Sequence, residues 1–293
     1  MADASRDENT VCEQREFVQQ IRTALKEKKL VICAGAGVLL FATADASGRI
    51  HQKSLTFLRL MRSGFDYVQQ HLPSTYNDAD NKDQIEKARA ALDVPDRQYS
   101  EADEDSYLNA AKTLADILKP FPETLADWLR GQFQTLDESP LAHSEIHDAL
   151  KKLHQAGAQL MTITQDHLIE RHCGLTDVFH PHGEWEQPDR VVMNTKEYYA
   201  AADNTNPAQD RLRKIFENKT VLFVGCGPGT GDPSFGQMLK WLGSQDVGGG
   251  SHYILLRYRD NYREMEGRLP LVKARVETVD DIPRWIEGLL EKD

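Results

Sequence analysis

The chain has 293 residues, 40% of them hydrophobic and 28% charged, a globular composition with room for one large core or two modest ones. A net charge of -11 argues against general affinity for nucleic acid or anionic membrane, which needs Lys and Arg gathered on one face. The longest apolar runs, such as Leu30 to Cys33, are far too short to span a bilayer, and the polar opening MADASRDENT has no signal-peptide core.

Residues 1–10 are expected to form a disordered tail and 11–293 a single domain. Phe17, Ile21 and Leu25 predict an amphipathic helix over Glu13 to Lys28. A strand, Leu30 to Cys33, follows and breaks into Ala34-Gly35-Ala36-Gly37. Leu55, Leu58, Met61 and Phe65 form the apolar stripe of a helix over Ser54 to His71. Residues 72–103, rich in polar side chains and proline, are read as a loop with short helical pieces. Asp103 to Ala156 carries two or three helices punctuated by Pro120, Pro122 and Pro140. Strands are expected at Gln159 to Thr164, Val178 to His180 and Val191 to Met193. A helical stretch over Tyr198 to Phe216 is broken at Asn206-Pro207. A strand from Val221 and a helix over Pro233 to Leu242 come next. A glycine-rich turn at Gly248 to Gly250, strands at Tyr253 to Arg257 and Val272 to Val276, and a helix over Ile282 to Leu290 complete the order. Helices between short apolar strands imply an α/β fold: a Rossmann-like, mostly parallel sheet with helices on both faces. The helical block at approximately 55–156 interrupts the first crossover and reads as an insert subdomain.

The four cysteines, Cys12, Cys33, Cys173 and Cys226, contain no C-x-x-C pair, so a structural zinc is not expected and reduced, cytoplasmic thiols are. Ligands of an open α/β sheet sit outside the carboxyl ends of its strands, and several ends here carry unusual residues. Gly35, Ala36 and Gly37 would let backbone N–H groups approach a phosphate, or simply make a tight strand-to-helix turn. Thr162 to His167 (TITQDH) crowds polar side chains onto a strand end, for a site or for helix capping. His180 and His182 alternate at strand spacing, so in an extended strand they point the same way; a mononuclear metal is conceivable there, without an obvious third ligand. VLFVGCGPG, residues 221–229, looks like the first motif of a methyltransferase. It fails on position, since only about 65 residues follow, and on Phe223, where that motif has an acid. It also fails the P-loop pattern, and Thr230 stands at the third glycine of the dinucleotide fingerprint.

Taken in order, these segments resemble the sirtuin-like, zinc-free NAD-hydrolase family of bacterial antiphage systems and fungal immune receptors. LVICAGAGVL resembles the family's strand ending Gly-Ala-Gly-(Val/Ile)-Ser. Ser54 to Leu58 is similar to its Ser-Trp-Lys-Gly-Leu segment, and Thr162 to Glu170 to its Thr-Thr-Asn-(Tyr/Phe)-Asp-x-Leu-Leu-Glu turn. His180-Pro-His-Gly183 matches its His-x-His-Gly. Trp185 to Val192 and Leu222 to Phe235 resemble its last two segments. Leu39 departs from a Ser, Leu55 from a Trp, Thr164 from the catalytic Asn and Gln165 from an aromatic residue, whereas Asp166, His182, Asp232 and Phe235 are kept. The resemblance implies NAD as ligand, no metal, and a homo-oligomer. It implies a catalytic group of His182, Thr164 and Asp166, with Gly35, Ala36, Gly37, Gln165, His180, Gly225, Gly227 and Asp232 around the cofactor. His182 would be the base, and Thr164 would stand in for the Asn with one hydroxyl in place of an amide. Two functions follow: cleavage of NAD to nicotinamide and ADP-ribose, or binding of NAD or ADP-ribose without turnover by a module acting through oligomerisation or partners.

Overall fold

The computed structural model describes residues 15–43, 56–71, 79–93, 103–138, 140–201, 206–227, 232–245, 247, 250–260, 262 and 266–291. Five strands, β1 (Leu30–Ala34), β2 (Gln159–Thr162), β3 (Thr220–Val224), β4 (Tyr253–Arg257) and β5 (Val272–Val276), form one parallel sheet in the order β2-β1-β3-β4-β5. Ile32 of β1 stands opposite Leu160 on one side and Leu222 on the other. Twelve α-helices accompany the sheet among the described residues. They are α1 (15–26), α2 (Ala36–Thr43), α3 (Phe57–His71), α4 (Ala79–Leu92), α5 (Glu104–Leu118), α6 (Pro122–Glu138), α7 (Glu145–Gln155), α8 (Leu168–Cys173), α9 (Thr195–Ala200), α10 (Pro207–Asn218), α11 (Pro233–Ser244) and α12 (Asp281–Gly288).

Strands covered on both faces read as continuous apolar runs, which is why LVICA and TVLFV carry no polar alternation. Their period of two still sorts the side chains. Leu30, Ile32, Leu222, Val224 and Leu255 pack with α1, α2, α7 and α12, while Val31, Cys33, Val221, Phe223 and Ile254 pack with α9, α10 and α11. The sheet is therefore Rossmann-like with helices on both faces, as the sequence predicts. Helices α3 to α6 gather a third core around Phe65, Tyr107, Leu114 and Trp128. It also takes in Leu168, Trp185 and Met193, which come from the β2 side of the sheet. Helix α7 does not join that core; Ile146, Ala149, Leu150 and Leu153 bury against the sheet.

The structure corrects four sequence expectations. Residues 79–92, read as part of a loop, form a fourteen-residue helix, because Ile85, Ala88 and Leu92 give an otherwise polar segment one buried stripe against the insert. The strand expected at Val178 to His180 is a single bridge between Phe179 and Met161. Phe179 donates its N–H to Leu160 and accepts from Thr162, and Pro181, which has no N–H, follows two residues on. The strand expected at Val191 to Met193 is absent: the Pro188–Arg190 3-10 turn leads into a segment whose Val191 and Met193 pack on the insert core. Strand β2 ends at Thr162, two residues early, where the chain turns towards α8. Asn206-Pro207 does separate two helices, with the Asn206 side chain accepting from the Ala208 and Gln209 N–H groups at the start of α10. The expected tail, Leu55, Gly248 and Gly249 lie outside the described residues. Among the described residues no helix is long and apolar enough to cross a membrane.

Candidate functional site

The order β2-β1-β3 means the chain leaves β1 for one side of the sheet and later returns to the other. The carboxyl ends of β1 and β3 are thus the switch point at which open α/β sheets hold ligands. Both ends are glycine loops, and they pack on each other. Gly35 N–H donates to Val224 O and Gly37 N–H to Gly225 O, each at 2.9 Å. Side chains are excluded there: a Cβ on Gly37 would stand 2.8 Å from Gly225 Cα, and one on Gly225, whose φ is +71°, 2.5 Å from Val38 N. The N–H groups of Gly35 and Gly37 are therefore committed to β3 rather than to a phosphate. Gly227 lies beside Leu256 with ordinary contact distances.

The turn after β2 is built differently. Thr162 and Thr164 share a hydroxyl–hydroxyl bond of 2.8 Å, and Thr162 Oγ1 donates to Ala34 O across the sheet. Three backbone groups of the turn have partners outside it. His180 Nδ1 meets Thr164 O at 3.0 Å, Trp185 N–H donates to Gln165 O at 3.0 Å, and His167 N–H donates to Asp137 Oδ1 at 2.9 Å. Asp166 accepts the Leu168 N–H with Oδ1, as a residue entering a helix does, while its buried Oδ2 has no hydrogen-bond partner among the described residues.

The two histidines separate. His180 is half-buried as a residue with its ring almost covered, and bonds Glu170 through Nε2 at 2.6 Å; burial alone would lower its pKa, but Glu170, the Thr164 carbonyl and Asp166 together raise it. His182 is buried and bonds Tyr199 Oη at 2.8 Å, and burial pushes its pKa down to about 4, so the ring is neutral at pH 7. Their expected common direction presumed a strand that does not form. Glu170 lies in α8 and Tyr199 in α9, and the two rings serve as fasteners for different elements.

A cleft open to solvent lies between this turn and the insert. One wall is polar: Thr164, Gln165, Asp166, and Asp232 with Ser234 at the start of α11. The facing wall is apolar, from Leu39 of α2, Phe57 and Met61 of α3, and Leu129 and Phe133 of α6; Ala36 and Val191 to Met193 close it. Of the residues singled out in the sequence, the structure brings Ala36, Thr164, Gln165, Asp166 and Asp232 into this lining. Gly35, Gly37, Gly225, Gly227, His180 and His182 lie outside it. Asp232 caps α11 by accepting the Ser234 N–H at 2.9 Å. Burial raises the pKa of Asp166, against the Thr164 hydroxyl and Leu168 N–H, and burial likewise raises that of Asp232.

Sequence reasoning missed the apolar wall and Asp137. Asp137 continues the Leu125, Leu129, Phe133 row at four-residue spacing on α6, so an acid interrupting an apolar stripe was its visible signal. Among the described residues no group of three or more His, Cys, Asp and Glu could hold a metal ion.

With that geometry in place, the comparison with known families adds one finding. Residues 143–275 match the model of the SIR2-like domain. The match begins just before α7 and ends within β5, so it takes in the Thr164 to His167 turn, both histidines and the Gly225 loop but neither β1 nor the insert. It supports the sirtuin-like family and, with it, an NAD-related, nucleotide-binding function.

Proposed function

We propose that the cleft binds NAD and that the chain is an NAD glycohydrolase, releasing nicotinamide and ADP-ribose. The observation that carries this reading is the buried carboxylate of Asp166, with one oxygen unengaged, on the polar wall of a cleft whose other charged lining residue, Asp232, is also an acid. Cleavage of a nicotinamide–ribose bond expels a neutral base from a cationic one and leaves an oxocarbenium-like ribose. A fixed anion at low dielectric stabilises that cation most as charge moves onto the sugar. The aromatic and aliphatic wall from α3 and α6 suits the planar base. In this assignment Asp166 faces the developing cation, the Thr164 hydroxyl orients the ribose or the attacking water, and Ala36, Gln165 and Asp232 line the path of the ligand.

The second reading, binding of NAD or ADP-ribose without turnover, is favoured by two observations. Thr164 offers a single hydroxyl oxygen where an amide would set an NH2 donor beside a separate carbonyl acceptor, and His182 is sealed against Tyr199 outside the cleft lining. Incubation with NAD, following free nicotinamide over a range of protein concentrations that would allow a homo-oligomer to form, separates the two. Turnover that falls about 100-fold in Asp166→Asn supports hydrolysis at this site. His182→Ala tests whether the resemblance-based role of that residue survives its burial. No release above the Asp166→Asn background, with calorimetric heat for NAD or ADP-ribose, would replace hydrolysis by binding; no heat for either would end the NAD reading.

A further inference from the structure

We propose that Asp137, a residue of the insert helix α6, is a positioning residue of the cleft, clamping the turn that presents Thr164 and Asp166. The inference rests on the cleft being the reaction site, as above.

The clamp is a chain of bonds. Asp137 Oδ1 accepts the His167 N–H at 2.9 Å, and Oδ2 accepts the Trp185 indole N–H at 2.7 Å. Trp185 then donates its own backbone N–H to Gln165 O at 3.0 Å. One carboxylate thus grips the turn directly at its far end and, through the tryptophan, at its middle. The Asp137 side chain is wholly buried. A leucine in the Leu125, Leu129, Phe133 row would dock α6 without the cost of burying a charge. The acid is accounted for by the two N–H groups it holds, neither of which an apolar residue could satisfy. Such double-ended fixation matters because a reacting geometry displaced by about 1 Å can lose some 100-fold in rate.

The charged and titratable neighbours of Asp137 come from each element packed on it. His167 Nδ1 stands 3.7 Å and Arg171 Nε 3.9 Å from Oδ2, Glu184 and Glu186 reach His167 from the adjoining turn, and Asp166 is close enough to act on it electrostatically. Burial and the Asp166 charge hold the Asp137 pKa up to about 6. Below that pH the carboxyl gains a proton and keeps only one strong acceptor oxygen for the two N–H groups, which shifts the turn's alignment without opening it, because a pKa raised by burial means that protonation favours the buried state.

The test compares the parent chain with Asp137→Asn and Trp185→Phe in NAD turnover across pH 5 to 8 and in amide exchange by mass spectrometry. The expected result for Asp137→Asn is a kcat roughly 10- to 100-fold lower, a KM within about threefold of the parent's, and loss of the acid limb near pH 6. Amides 165–168 should exchange faster while those of β1 and β3 do not. Trp185→Phe, which removes the indole N–H together with part of the ring but leaves the Asp137–His167 bond, should show the same signature at smaller amplitude. A folded Asp137→Asn with the parent's kcat, acid limb and exchange would overturn the proposal. If the parent itself releases no nicotinamide, hydrolysis fails on its own, and exchange at 165–168 decides the clamp: faster supports it, unchanged overturns it. If Asp137→Asn does not fold, Trp185→Phe and the parent's own exchange decide. Exchange of amides 165–168 in Trp185→Phe no faster than in the parent would then show the clamp to be wrong.

Discussion

Three strand ends of this sheet invite the same functional reading, and they are built in two opposite ways. At β1 and β3 the chain turns on glycines, and the N–H groups of Gly35 and Gly37 are spent on the neighbouring strand. At β2 the chain turns on Thr164, Gln165 and Asp166, held by partners from α6 and the segments carrying His180 and Trp185, and one buried carboxylate oxygen is left over. The glycines answer a backbone problem, how two loops approach within contact distance. The polar turn answers a chemical one, how to aim side chains into a cleft. Glycine content alone therefore marks where backbone is close, and the surplus of unpartnered polarity marks where a ligand would act.

The contrast breaks first at Gly225. Its φ of +71° suits no ordinary side chain, and a Cβ there meets Val38 N at 2.5 Å. Gly225→Ala should cost about 3 kcal/mol or more, combining left-handed strain with overpacking. Urea denaturation measures it. A loss below about 1 kcal/mol would mean the loops can part, and the glycines would then need a ligand to explain them.

Next in size comes acid. His182 is neutral in the fold with its pKa down at about 4, so the stability it confers is complete above its unfolded value near 6.5 and drains away as pH falls towards 4. The loss should be roughly 3 kcal/mol by pH 4. Asp137 works with the opposite sign: its raised pKa of about 6 makes the fold gain as pH falls from there towards 4. Denaturation of the parent, His182→Asn and Asp137→Asn at pH 7 and 4.5 separates them. His182→Asn should lose less on acidification than the parent, and Asp137→Asn more. Equal losses in all three would contradict the burial assigned to both groups.

Much of the fold was legible because burial on two faces leaves an uninterrupted signature. LVICA, TVLFV and YILLR could be strands of little else than a covered sheet. Helix α4 was hidden because its buried residues among those described, Ile85, Ala88 and Leu92, are too sparse to stand out from a polar segment. The site was half legible. A strand ending in Thr-Gln-Asp has an evident excess of polar groups, whereas the direction of a histidine does not follow from spacing once the local strand is absent. His180 and His182 looked like a pair because strand geometry was presumed between them; with only Phe179 bridged, their rings fasten to α8 and α9 separately. Asp137 could have been found by asking why an apolar row carries an acid.

The smallest expected effect sharpens the comparison most, because it changes chemistry while leaving packing nearly alone. Thr164 is half-buried on the cleft wall, with its hydroxyl on Thr162. Thr164→Asn should cost under about 1 kcal/mol of stability, since the lost hydroxyl bond is partly replaced and the residue is only half-buried. Supplying an amide, with its paired donor and acceptor, beside Asp166 should raise nicotinamide release from NAD by about tenfold. The gain should appear in kcat rather than KM, because orienting a water or ribose hydroxyl matters in the transition state more than in binding. A rise would place the reaction at the β2 turn and identify Thr164 as the residue that limits it. An unchanged or lower rate in a folded Thr164→Asn would show that the turn orients nothing in the reaction. The unengaged Asp166 oxygen would then belong to a binding site whose polar and apolar walls serve recognition alone.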